Sequence, residues 1–94
     1  MKGLPASATP YKQTATFDEV TVPTGLLHSH STKEGVWAKI VVLEGALIYR
    51  ILEPTVEEIE LTPLQFGIVE PTVKHELVLS KGARFYVEFH RLEE

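Results

Sequence analysis

The chain has 94 residues, 44% hydrophobic and 23% charged, with a mean hydropathy of +0.02, which suits one folded domain and argues against disorder. A net charge of −4 excludes a basic field for nucleic acid. No run approaches the roughly 20 apolar residues of a membrane span, and Met1 to Phe17 lacks a signal-peptide core, so the expectation is a cytoplasmic protein with neither partner. The absence of cysteine excludes disulfides, thiolate chemistry and Cys-ligated metal, so any metal here must use His, Asp or Glu.

Residues 1–16, with Pro5 and Pro10 among Ala, Ser and Thr, read as an extended arm with one edge strand near Tyr11–Thr14. From Trp37 to Ile51 the β-branched and aromatic run is interrupted only at Glu44-Gly45, which predicts two strands joined at the glycine and forming the centre of the sheet. Leu52 to Thr55 makes a turn, Val56–Leu61 a short strand, and Thr62-Pro63 ends it. Phe66–Val69 is a further strand bounded by Pro71, and His75–Leu79 alternates His75, Leu77 and Leu79 against Glu76 and Val78. Ser80-Lys81-Gly82 then turns the chain into Arg84–His90. Phe85, Val87 and Phe89 share one face of that strand, and Arg84, Tyr86, Glu88 and His90 the other. No helical periodicity persists for ten residues, so the single domain, residues 1–94, is expected to be all-β, a sandwich or a barrel.

In a strand, residues two apart point to the same side, so His28 and His30 are expected to present both imidazoles to one atom. A divalent metal takes three or four donors, and His75 is the obvious third. An isolated His-x-His is equally what a solvated loop carries, and a lone His75 is more often a core or surface residue; their joint placement gives them weight. Glu70, before Pro71, is a candidate fourth ligand, with Glu34 and Glu88 behind it. Glu57, Glu58 and Glu60 read as an edge guard, and His90 lies close to a fraying end.

His28-x-His30, Val42-Leu43-Glu44-Gly45, Thr62-Pro63 and Val69-Glu70-Pro71-x3-His75 resemble the two motifs of cupins, although Ala38 stands where cupins usually carry a glutamate ligand and Val73 where they carry a glycine. A closer resemblance covers nearly the whole chain. His30-Ser31-Thr32-Lys33-x-Gly35-x-Trp37-x-Lys39, Val42-Leu43-x-Gly45-x-Leu47 and Phe85-Tyr86-Val87-Glu88-Phe89 look like the cupin-like domain found at the N-terminus of tellurite resistance protein B and also free-standing. In the two-domain proteins a methyltransferase domain follows; this chain has no strand, Gly-x-Gly and helix signature for one, so methyl transfer is not carried over.

The resemblance implies a cupin-type double-stranded β-helix, a small jelly-roll barrel, expected to form a homodimer. It places His30 and His75 at the family's matching positions, and leaves His28, His30, His75 and Glu70 or water as the ligand set. A His-rich, carboxylate-poor set favours zinc, with nickel, copper or iron as alternatives. The functional expectation is a metal-binding module for a small anionic ligand, a tellurite-like oxyanion included, with Lys39 or Arg84 neutralising charge and Tyr86 and Glu88 in the ligand pocket. The alternatives are a metal-dependent dioxygenase or isomerase and a metal-free sensing or interaction domain using its Trp37 face.

Overall fold

The computed structural model describes residues 1–92. Seven strands form: β1 (Ala8–Gln13), β2 (Val36–Glu44), β3 (Leu47–Ile51), β4 (Glu57–Leu61), β5 (Gly67–Val69), β6 (His75–Leu79) and β7 (Arg84–Leu92). A four-stranded sheet runs β1-β7-β2-β5 and a three-stranded sheet β4-β3-β6, and every pairing is antiparallel. The expectation of an all-β chain holds. One 3-10 turn, Thr24–Leu27, is the sole helical element among the described residues, and none of these forms a helix long and apolar enough to cross a membrane.

The alternation read in the sequence is what packs the two sheets. Ala38, Ile40 and Val42 of β2 and Phe85 and Val87 of β7 face Leu47, Tyr49 and Ile51 of β3 and Leu77 of β6, all buried in one cluster. Two expectations change. The strands either side of Gly45 do not pair with each other: β2 is an interior strand of one sheet and β3 the middle strand of the other, so Gly45 is where the chain changes sheet. Its φ of 71° and the approach of Ala83 Cα, 3.0 Å from where a Cβ would stand, both require glycine there. The last strand continues to Leu92, which puts His90 inside a ladder and buries it rather than leaving it at a fraying end.

The edge strand expected near Tyr11–Thr14 starts earlier, at Ala8, and pairs with β7 through an irregularity between Pro10 and Lys12. Ahead of it the Met1 amino group lies 3.1 Å from Glu57 and Lys2 lies 3.5 Å from Glu70. Among the described residues the sheets do not close into a barrel by strand pairing. They are stitched at one point, where His30, ahead of β2, makes a single antiparallel bridge with His75 at the start of β6.

Candidate functional site

The segment that carries His28 and His30 is not a strand. After the 3-10 turn His28 is extended, but Ser29 takes a positive φ of 35° and turns the backbone before His30. The two imidazoles therefore part. His28 lines an open groove with Glu19, Val22, Leu27 and Glu76, whereas His30 turns toward the space between the sheets. The strand spacing that was to bring both rings to one atom is thus lost at Ser29.

His30 and His75 do come together. Their backbones exchange two hydrogen bonds, His30 N donating to His75 O at 2.7 Å and His75 N to His30 O at 2.8 Å. The rings meet edge to face with centroids 5.5 Å apart. His75 is 4% exposed and lies edge to face with Tyr49 on its other side, at 5.6 Å. Its Nδ1 is 3.2 Å from the Val73 carbonyl, so Nδ1 carries the proton and Nε2 keeps a free lone pair. Burial pushes the His75 pKa below the usual imidazole range; the Val73 carbonyl opposes this and His30 adds to it. Tyr49 donates its hydroxyl to Ile68 O at 2.9 Å, and burial, reinforced by Glu70 and Glu57, raises its pKa.

Between the sheets, bounded by His30, Thr32 and His75 among apolar side chains, is an internal cavity of about 20 Å3. A separate open groove of about 240 Å3 has walls that include Tyr11, Lys12, His30, Ser31, Thr32 and Lys33. Both spaces are bounded by His30, Thr32 and Phe89. The groove thus sets two lysines beside an imidazole in a chain of net charge −4, with Arg91 stacked on Tyr11 at 4.9 Å.

The other residues singled out in the sequence lie elsewhere. Glu70 answers Lys2, Lys39 lies 4.4 Å over the Phe66 ring, Arg84 pairs with Glu44 at 3.5 Å, and Glu88 meets His90 Nε2 at 2.6 Å. Lys39, Arg84, Tyr86 and Glu88 alternate with the buried Ala38, Ile40, Phe85 and Val87, so they face away from the core on the outer side of the larger sheet. Among the described residues no three His, Asp or Glu side chains gather as a metal-binding group. Sequence reading missed Lys12 and Tyr11, which reach the groove only because β1 pairs with β7, and Lys33, which carried a signal in standing three residues from His30.

The TehB-like domain matches residues 12–87. No curated protein matches. Among solved structures, a protein of E. coli strain K12 superimposes with a TM-score of 0.89 at 21% identity, covering 100% of both chains. TehB from Haemophilus influenzae superimposes with a TM-score of 0.84 at 27% identity over 93% of this chain, which spans 32% of that protein.

Proposed function

The chain belongs to the TehB-like family, and we propose that it serves as a binding domain for a small oxyanion, tellurite among the candidates, held in the groove in front of the His30–His75 pair. The observation that carries this reading is the placement of Lys12 and Lys33 beside His30 in a groove that shares its His30, Thr32 and Phe89 walls with a mostly apolar recess. Two ammonium groups supply charge, an imidazole supplies direction, and the recess limits the ligand to a few atoms.

We read the two sheets as a cupin-type jelly roll. Adding the His30 segment beside β6 gives the orders β1-β7-β2-β5 and His30 segment-β6-β3-β4, eight strands in two sheets with one of them reduced to a single bridge. A metal-centred version of the function uses the free nitrogens of His30 and His75. These are two donors where zinc takes four, so the side chains described do not by themselves complete such a site, and the anion reading does not depend on it.

Calorimetric titration with sodium tellurite and sodium selenite tests the proposal. Lys12→Ala/Lys33→Ala is expected to weaken binding roughly tenfold or more. Equal affinity in the variant and the wild type contradicts it. A parallel zinc titration showing one ion per chain, lost in His30→Ala, would favour the metal-centred version.

A further inference from the structure

Resting on that reading, we infer that the site selects oxyanions that keep a hydroxyl group, taking the protonated oxygen into the small cavity that His30 and His75 help to bound while the charged oxygens face Lys12 and Lys33. The two ends of the site ask for opposite things. At the groove end the side chains are cations, which want negative charge. The cavity end is bounded in part by His75, and with Nδ1–H committed to Val73 O the nitrogen this ring has left is Nε2, an acceptor.

His75 Nε2 has no protein hydrogen-bond partner, yet it is not sealed: among the described residues the one sealed, unpartnered side-chain nitrogen or oxygen is His90 Nδ1. Thr32 supplies no donor there, because its hydroxyl donates to Val36 O at 2.7 Å. The cavity, about 20 Å3, has room for about one oxygen atom of water size and no more. A hydroxyl placed there donates to Nε2. A fully deprotonated oxygen would set its lone pairs against the one on Nε2.

The test is a titration of the full chain at neutral pH with two matched pairs of anions. Phosphate and sulfate are both tetrahedral, but only phosphate keeps a hydroxyl; selenite is largely hydrogen selenite, whereas selenate carries no proton. Phosphate and selenite are expected to bind roughly ten- to a hundredfold more tightly than their partners, the range an unmatched buried polar contact produces. The ring 15N resonance of His75 Nε2 should move with the hydroxyl-bearing anions and not with the others. Equal affinities within each pair, abolished by Lys12→Ala/Lys33→Ala, would overturn the selectivity and leave the groove reading standing. Absence of binding by all four anions would overturn both.

Discussion

His30 and His75 are joined twice, by a reciprocal pair of backbone hydrogen bonds and by an edge-to-face contact of their rings. The first fixes the second: the bridge sets the two Cα atoms side by side, so the rings are placed by main chain rather than by flexible side chains. It is also the stitch between the segment leading into the larger sheet and the edge of the smaller one. The candidate site therefore occupies the point where the fold is tied together.

The two histidines should behave differently when truncated. His30 is half-buried and its backbone bonds survive substitution, so His30→Ala is expected to lose ligand binding with a stability change of about 1 kcal/mol or less. His75 is buried against Tyr49, and His75→Ala leaves a hole in the core, at about 2–3 kcal/mol. Urea unfolding of both variants checks the order; equal losses would show that the rings share one environment.

The lowered pKa of His75 gives stability a direction with pH. Between the ordinary imidazole value near 6.5 and the lower folded value, the unfolded chain binds a proton that the folded chain refuses. The contribution of His75 is fully present above about pH 6.5 and declines as the pH falls below it. Melting temperatures measured from pH 7.5 downward should fall, and His75→Asn should flatten that part of the profile. An unchanged slope in the variant would assign the acid sensitivity to other groups.

These features were unevenly legible in the sequence. The strands β6 and β7 follow from strict alternation, because one face of each packs on the core and a single-residue slip would expose Leu77 or Phe85. The sheet change at Gly45 was hidden: glycine at a strand junction suits a hairpin as well as a crossing, and only the pairing of β2 with β5 and β7 decides. His30 and His75 were identified, but the spacing that recommended His28 assumed a strand that Ser29 breaks. The groove lysines were hidden for a topological reason, since Lys12 comes near His30 through a strand pairing between the two ends of the chain.

Tyr49 and Gly67 form one packing unit. The Tyr49 hydroxyl satisfies Ile68 O inside the core, so Tyr49→Phe leaves a buried carbonyl without that bond and should cost about 1–2 kcal/mol. A Cβ at Gly67 would stand 2.7 Å from Leu61 Cδ1 and 3.1 Å from Tyr49 Cδ2, so Gly67→Ala overpacks the same spot, at about 1–3 kcal/mol. Chemical denaturation of the single and double variants should show that the two losses do not add, as neighbouring sites sharing a contact do not. Simple additivity would mean that they act separately.

The most direct test of the central claim is to follow the backbone and side-chain resonances of the whole chain as sodium selenite is added. The account predicts that shifts concentrate at Tyr11, Lys12 and His30 to Lys33, with His75 following through its ring. Shifts centred on Lys39, Arg84, Tyr86 and Glu88, on the outer face of the larger sheet, would place the anion on the other side of the molecule and contradict it.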